Sequence, residues 1–368
     1  MKTIRRLIYG EVLSGVVFVT LGFLSLFFFF DFVEEIQLIG QRGAPQYGLF
    51  QAMSYVALMI PSHLYELLPI AVLIGTIFVM ARFAQSSEYT ILRTSGLGPW
   101  RAMKTLLLLG LGFVLLTFAV GDYLSPVADR TGQLLKARYQ GRITVGQTGA
   151  WLKEKQSYTQ YAVNVKALES NGSMRDIHIF EFDSQGFLMS IVQAESAIYG
   201  EDDSWTLSRV DRTEFPARGT DTARIERVQM DSLRWPNQIS AEMVSAALLK
   251  PERMSTIDLF QYIRHLQANA QTAQRYEIEF WKKVFYPLSC LVMVVLALPF
   301  AYLHFRSGGI ATYVFGGVMA GISFFLLNNV FGYIGNLQNW QPWLTAALPG
   351  MIYSLLSLTA FGWLVFRR

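Results

Sequence analysis

Residues 12–30 contain no charged side chain and include four consecutive phenylalanines. A run of about 18 or more apolar residues is long enough to cross the hydrocarbon core of a bilayer as a helix. The composition agrees, because 52% of the 368 residues are hydrophobic and only 16% are charged. We therefore expect an integral membrane protein rather than a soluble domain.

Five further segments predict spanning helices. Residues 49–81 are the most difficult of these, because Pro61 and Pro69 interrupt them. Residues 49–60 are too short to span, so we interpret them as a lead-in to a single crossing. Glu66 then lies near the outer interface, where we expect a structural role. The other predicted spans are residues 105–121, 284–303, 310–334 and 343–366.

The positions of lysine and arginine orient these six helices, since short loops rich in them stay on the cytoplasmic side. The opposite loops are poor in base: residues 31–48 hold only Arg42, and residues 335–342 hold no charge. Two crossings by residues 49–81 would scramble this pattern. We therefore predict that both termini are cytoplasmic and that residues 122–283 lie outside the cytoplasm. The basic residues on the predicted cytoplasmic side are Lys2, Arg5, Arg6, Arg82, Arg93, Arg101, Lys104, Arg306, Arg367 and Arg368.

The polar interval, residues 122–283, carries 20 basic and 21 acidic residues, so it has no electrostatic footprint for nucleic acid. Short alternating runs separated by turn-rich pieces predict an antiparallel sandwich or jelly roll. Its expected core includes Ile177, Ile179, Phe182, Trp205 and Leu207.

A helical pattern follows the last predicted strand. Ser255 and Asp258 stand in capping positions, and one apolar face is predicted. That face consists of Ile257, Phe260, Ile263 and Leu266. The predicted fold class is membrane α + β, with three spans, a β-jelly-roll domain and three more spans. The predicted segments are 1–121 with a short cytoplasmic helix near 86–96, 122–254 for the β-domain, 255–283 for a helical connector and 284–368.

Motifs for common enzyme chemistry are missing from the sequence. It holds no Gly-Lys pair, which excludes a phosphate-binding loop of the G-x-x-x-x-G-K type, and no G-x-S-x-G. The four histidines show no metal-ligand spacing: His63, His178, His265 and His304. We expect no catalytic residue, no metal and no cofactor in this chain.

The segment AQSSEYTILRTSG, residues 84–96, separates the second and third predicted spans. Ser86 or Ser87 can cap a helix here, and Glu88 then stands in its first turn, where the helix dipole favours a carboxylate. Gly96 supplies the C-terminal stop.

Tyr89, Ile91 and Leu92 give this short helix an apolar surface. Because about nine residues do not form a stable helix alone in water, it must lie against something. In one interpretation Glu88 only caps the helix and the apolar residues rest on the bilayer. In the other, the helix docks into a cytoplasmic partner that supplies energy, with Glu88 facing a basic residue there.

Four stretches carry a resemblance to a known family: AQSSEYTILRTSG, IPSHLYELLP, RYEIEFWKKVFYPLSCLVMVVLALPF and LNNVFG. They resemble the LptF/LptG family of lipopolysaccharide-export permeases, and its LptG branch more than its LptF branch. The likeness covers nearly the whole chain. It implies a transmembrane subunit of an ABC transporter in the inner membrane of a Gram-negative bacterium. Such a subunit extracts lipopolysaccharide and passes it through periplasmic jelly rolls to a bridge toward the outer membrane.

The resemblance also implies partners and a coupling site. The expected partners are an LptF-like paralogue, two LptB-like ATPase subunits that bind the ATP and Mg, and an LptC-like single-span protein. Glu88 falls on the acidic position of the family that faces the ATPase. The coupling residues implied are Glu88, Tyr89, Ile91, Leu92 and Arg93.

A phosphorylated lipid implies apolar walls and cations in the transport cavity. The first span here is followed by Asp31, Glu34 and Glu35, where some family members have lysines, so phosphate contacts are expected after the third span or through bridging divalent cations. Lys136 falls on a basic family position. The substrate-binding candidates are Phe27, Arg42, Arg130, Lys136, Arg138, Phe324 and Phe325, and a lateral gate between the first and fifth spans is expected at Gly316, Gly317 and Gly321.

Two other functions remain as alternatives. A membrane lipid-modifying enzyme is disfavoured because His, Asp and Glu do not cluster within the spans. A force-transducing or sensory ABC-type membrane subunit would be expected to have fewer spans.

Overall fold

A computed structural model describes residues 2–37, 39, 47–86, 88–140, 143–144, 149–156, 159–168, 172–200, 204–216, 225–237, 239, 243–244, 251–302 and 309–366. The chain divides into two compact units. The helical unit takes in Met1–Glu34, Val56–Ala128 and Gln274–Arg368, and the mixed unit takes in Glu35–Tyr55 and Asp129–Ala273.

The helices, in chain order, are α1 (Lys2–Ile36), α2 (Leu49–Gln85), α3 (Glu88–Thr94), α4 (Pro99–Ala119), α5 (Ser125–Gln140), α6 (Thr256–Ala268), α7 (Gln274–Phe285), α8 (Ser289–Ala297), α9 (Ile310–Leu337) and α10 (Pro342–Phe366). A π-turn (Val120–Leu124) joins α4 to α5, and 3-10 turns (Pro251–Arg253, Tyr286–Leu288 and Leu298–Tyr302) precede α6 and flank α8. Among the described residues, six stretches are long and apolar enough to cross a membrane: Thr3–Ile36, Leu49–Gln85, Pro99–Lys136, Gln274–Tyr302, Ile310–Leu337 and Pro342–Trp363. The prediction of six spans is confirmed.

Helix α2 is the most buried of the apolar helices that the structure describes. It runs unbroken for 37 residues through both of its prolines, so residues 49–81 form one helix rather than two. In its most apolar window 78% of the residues are buried inside the protein, against 11% for α1 and 17% for α9. A helix that is apolar on all sides is typically surrounded by other helices, whereas α1 and α9 leave apolar flanks uncovered within this chain.

Helices α1 and α2 make backbone contact at a pair of glycines. A Cβ added to Gly75 would meet the backbone nitrogen and Cα of Val16 at 2.7 Å, and one added to Gly15 would lie 3.1 Å from the carbonyl oxygen of Gly75. Small residues permit this close approach, which drives helix association where lipid removes the hydrophobic effect between helices.

The π-turn after α4 is held by a buried lysine. Lys283 of α7 is 6% exposed, and its ammonium donates a hydrogen bond to the carbonyl oxygen of Gly121 at 2.8 Å. Gly121 also lies against Tyr65, whose ring atoms would be 2.3 Å from an added Cβ. A π-turn disturbs the regular helical hydrogen bonding, so an outside donor to its carbonyl lowers the cost of placing it within a spanning helix.

The described residues of the mixed unit form one antiparallel sheet. Its strands are β1 (Ile143–Thr144), β2 (Ala150–Lys155), β3 (Thr159–Leu168), β4 (Met174–Asp183), β5 (Leu188–Tyr199), β6 (Ser204–Glu214) and β7 (Glu226–Pro236). They pair in the order β1-β3-β4-β5-β6-β7, and β2 also pairs with β3. The predicted antiparallel β-domain between the third and fourth spans is confirmed. Its closure into a jelly roll stays a prediction, because the described strands form a single meander.

Alternation along the strands places every second side chain on a buried face. Of the predicted core, Ile177, Ile179, Trp205 and Leu207 are each at most 2% exposed, and their burial confirms the prediction for them. Phe182 is only partly buried, since the register of β4 against β5 shifts between Glu181 and Phe182. Such an irregularity interrupts the alternation from which the core was predicted.

Helix α6 begins with the predicted capping box. The Ser255 hydroxyl accepts a hydrogen bond from the Asp258 backbone N–H at 3.1 Å, and the Asp258 carboxylate accepts one from the Ser255 N–H at 3.3 Å. The predicted apolar face is wrong in part, because Ile257 and Phe260 are 61% and 51% exposed. The buried face is rotated onto Leu259, Tyr262, Ile263 and Leu266.

We expect Gly75→Ala to lower the stability of the helical unit by about 1–3 kcal/mol, because its new methyl group meets backbone that cannot turn away. Gly22→Ala on α1 is the matched control, since a Cβ there meets nothing within 4 Å among the described residues. Thermal unfolding of the purified protein in detergent measures both. Equal midpoints for the two variants would contradict the close contact.

Candidate functional site

Helix α3 is attached to its own unit by two side chains. Tyr89 and Leu92 are 4% and 9% exposed and belong to the main apolar cluster of the spanning helices. The Tyr89 ring packs edge-on against the Tyr302 ring, with centroids 4.9 Å apart. Burial raises the pKa of Tyr89 well above its ordinary value, so its side chain stays neutral.

The end of α3 is set by a glycine, as predicted. Gly96 has φ +99°, which costs glycine little, and its N–H donates to the Arg93 carbonyl at 3.0 Å. The Leu97 N–H donates to the Leu92 carbonyl at 3.1 Å. These two bonds form a Schellman cap, and Leu92 and Leu97 are both buried in the same apolar cluster.

The start of α3 differs from the simplest expectation. The Ser86 hydroxyl donates to the Arg82 carbonyl at 3.0 Å, so this serine closes the end of α2 rather than capping α3. Ser87, the other predicted cap, lies outside the described residues. Helix α3 has seven residues and begins at Glu88 itself.

Anchoring by Tyr89 and Leu92 turns a different face of α3 outward. Glu88, Ile91 and Arg93 are exposed, and Ile91 is 63% exposed. Residues three apart on a helix share a face, so Glu88 and Ile91 present a carboxylate beside an aliphatic side chain. The five predicted coupling residues thus divide into two buried residues that hold the helix and three exposed ones.

An ion pair lies next to this segment, between the end of α2 and the start of α1. The Arg82 guanidinium donates to the Glu11 carboxylate. A second polar contact joins the same helices toward their other ends, where His63 Nε2 lies 2.6 Å from Asp31 Oδ2. Neither pair was predicted from the sequence, where the available signal was a polar side chain near each end of the two apolar runs.

Lys136, a predicted phosphate contact, lies in a polar cluster of the mixed unit. Its ammonium is 2.9 Å from one oxygen of Glu35 and 4.6 Å from the centroid of the Tyr55 ring. The Tyr47 hydroxyl donates to the other oxygen of Glu35 at 2.6 Å. Burial, followed by this bond to a carboxylate, raises the pKa of Tyr47, so the phenol remains a donor.

This cluster changes what Lys136 can do. Glu35 is 4% exposed, and its carboxylate neutralises the lysine inside the chain. An anionic ligand would have to replace Glu35 or bind beside it. Substrate contact by Lys136 therefore stays a prediction with a defined competitor. Glu35 is one of the acidic residues at the end of the first span that made anion binding there unfavourable on the sequence alone. It is also the partner of the predicted cation, Lys136.

The other substrate candidates are scattered. Phe27 packs on the His63 ring at 4.9 Å between centroids, and Arg130 is exposed on α5. Arg138 belongs to α5, but its side chain lies outside what the structure describes, as does all of Arg42.

The fifth-span candidates fall in two environments. Phe324 is 1% exposed between Tyr286 and Tyr353, at 6.2 Å and 5.1 Å between ring centroids, so in this conformation it is core. Phe325 is 39% exposed.

The predicted gate glycines of α9 differ among themselves. A Cβ on Gly317 would meet Ile77 at 2.8 Å, and one on Gly321 would meet Ile70 at 2.6 Å, both on α2. At Gly316 a Cβ would have open space within the described part of the chain. Within this chain the close packing is thus between the fifth and second spans, and a gate involving the first span stays a prediction.

Within the part of the chain that the structure describes, no group of three His, Cys, Asp or Glu side chains could hold a metal ion. What the described residues do offer is an exposed face on α3, with Glu88 and Ile91, and an ion-paired lysine on α5.

Comparison with known proteins gives a consistent result. A model of the family described as lipopolysaccharide export system permease LptF/LptG matches residues 6–364. The lipopolysaccharide export system permease protein LptG of Escherichia coli strain K12 is 28% identical over 363 residues, covering 98% of this chain and 97% of that protein. The protein of the same name from Haemophilus influenzae is 27% identical over 374 residues, covering 100% of this chain and 99% of the relative.

We expect Leu92→Ala to destabilise α3 by about 2–3 kcal/mol, because it removes one of the two anchoring side chains. Ile91→Ala is the matched control and should change stability by less than about 0.5 kcal/mol, since that side chain is exposed. Hydrogen exchange of the backbone amides of residues 88–97 measures the effect. Equal protection in both variants would contradict the assignment of inner and outer faces.

We also expect Glu35 and Lys136 to be energetically coupled. Glu35→Gln and Lys136→Met should each destabilise the mixed unit, and the double variant should lose less than the sum by about 1–3 kcal/mol. Removing one partner leaves the other charge kept from water and without an opposite charge beside it. This accounts for the larger part of the destabilisation in each single variant. Chemical denaturation in detergent gives the cycle. Strict additivity would show that the contact does not contribute.

Proposed function

Because this chain belongs to the lipopolysaccharide export system permease LptF/LptG family, we propose that it is the LptG-type transmembrane subunit of an ABC transporter that extracts lipopolysaccharide from the inner membrane. Family membership and six apolar helices make it a multi-pass inner-membrane permease. Its proposed partners are an LptF-like paralogue, two LptB-like ATPases and an LptC-like single-span protein. The ATPases would supply the bound ATP and Mg.

The outward face of α3 is the observation that best supports this proposal. A permease that hydrolyses no ATP must receive force through a surface to which an ATPase binds. Helix α3 offers Glu88 and Ile91 for that purpose, while Tyr89 and Leu92 tie it to the spanning helices. Movement of an ATPase bound to Glu88 and Ile91 would be transmitted to the spanning helices through Tyr89 and Leu92.

The proposed topology puts α3 and both termini in the cytoplasm and residues 122–283 in the periplasm. The distribution of lysine and arginine supports this orientation. The sheet of the mixed unit would then pass lipid toward the outer membrane, with its strands serving as the periplasmic domain. At the start of that path we propose that a lipid phosphate competes with Glu35 for Lys136.

Affinity purification in mild detergent tests the coupling proposal. The tagged chain, expressed in a Gram-negative cell, should recover two ATPase copies for each pair of permease chains. Glu88→Lys should lose most of the ATPase, because it reverses the charge of the exposed face. Glu34→Lys, which reverses another exposed acid on α1, should retain it.

Thermal unfolding of both variants provides the control for folding. Loss of the ATPase from Glu88→Lys with an unchanged midpoint would support a docking residue, whereas equal retention in both variants would show that Glu88 only caps its helix. Wild-type protein that recovers no ATPase would overturn the ABC proposal, and a lipid-modifying enzyme or a sensory subunit would then have to be considered.

A further inference from the structure

An apolar groove with a basic rim lies at the start of the first span. It has a volume of about 620 Å³ and is formed where the first turns of α1 meet α4. The lining residues are Arg5, Arg6, Tyr9, Gly10, Leu13 and Leu109. None of them belongs to the exposed face of α3, with Glu88 and Ile91, or to the predicted substrate-binding residues.

The floor of the groove exists because residue 10 is glycine. Arg6, Gly10 and Leu13 recur at helical spacing, so they follow one another along the same face of α1. A Cβ on Gly10 would meet nothing within 4 Å among the described residues, which leaves bare backbone between the arginine and the leucine. From Arg6 to Leu13 the rise is about 10 Å, enough for a head group and the upper part of an acyl chain.

The charge at the rim is positive and uncompensated by the lining residues. Arg5 and Arg6 are exposed, and the Arg5 guanidinium lies over the Tyr9 ring, 5.9 Å from its centroid. The nearest acid along α1, Glu11, is paired with Arg82. None of the groove's lining residues is acidic. Arginine binds phosphate oxygens through two parallel N–H donors, which suits a phosphodiester at this rim.

We propose that this groove binds one anionic phospholipid of the surrounding bilayer as a resident ligand, distinct from the exported lipid. Its phosphate lies between Arg5 and Arg6, and an acyl chain follows Gly10 to Leu13 and Leu109. The proposal rests on the proposed cytoplasmic position of the N-terminus, since basic pockets between spanning helices on that side recognise anionic head groups. The first turn of α1 adds the positive end of the helix dipole.

Native mass spectrometry of the full-length protein with its co-purifying subunits tests the proposal. After incubation with phosphatidylglycerol or phosphatidylcholine, the wild type should retain the anionic lipid preferentially. Arg5→Gln and Arg6→Gln should each reduce that preference about fivefold, and the double variant about 25-fold, because each arginine contributes a factor of this size near an anionic surface.

Filling the groove provides the sharper comparison. Gly10→Leu should abolish preferential retention, whereas Gly22→Leu on the same helix should not, although a Cβ at either position meets nothing within 4 Å in the described part of the chain. Matching unfolding midpoints would show that both variants fold.

Several results would overturn the proposal. They are an absence of head-group preference in the wild type, equal lipid retention by the two leucine variants, and displacement of the lipid by inorganic phosphate alone. Loss of a co-purifying chain from Gly10→Leu would assign the groove to a protein partner instead. The readout involves neither the ATPase contact at Glu88 nor lipopolysaccharide export, so failure here and failure of the proposed function are separate results.

Discussion

The backbone contact between Gly15 and Gly75 is the constraint on which the first span depends. Lipid covers apolar helices as well as protein does, so α1 cannot be held by hydrophobicity alone. The glycines bring the two backbones close enough for dispersion forces. Polar pairs, Glu11 with Arg82 and Asp31 with His63, hold the helices on either side of that contact. Because the attachment is confined to one narrow face, the rest of α1 remains open for other molecules.

Much of the architecture could be predicted from the sequence, for definite physical reasons. In hydrocarbon every backbone polar group must be bonded internally, so a long apolar run has few options besides a helix. Strand alternation identified Ile177 and Trp205 as core in the same way. Helix α6 shows where this approach fails, because its apolar positions form overlapping stripes. Packing against neighbouring elements buries Leu259 and Tyr262 and leaves Ile257 and Phe260 exposed. The local sequence pattern does not distinguish these two pairs.

The position of the candidate site could be predicted from the sequence, but which of its side chains are buried anchors and which are exposed could not. The roles of Gly96 and Glu88 could be predicted because glycine is favoured at the positive-φ position after a helix and a carboxylate is favoured in the first turn of one. The separation of Tyr89 and Leu92 from Ile91 could not, since all three are apolar and only the tertiary contact with Tyr302 distinguishes them. Lys136 was identified as a cation, whereas its partner Glu35 lies 101 positions away in the chain. Contacts over such separations follow from the fold alone.

The π-turn at Val120–Leu124 has a consequence for how related chains are aligned. A π-turn is in effect one residue inserted into an α-helix, and losing that residue would rotate everything after it by about 100°. Ser125 would then turn away from Ser62, whose hydroxyl oxygen now lies 2.6 Å from its own, and the Lys283 ammonium would lose the Gly121 carbonyl. A relative that lacks the insertion should therefore show a one-residue gap here together with a different residue at the lysine.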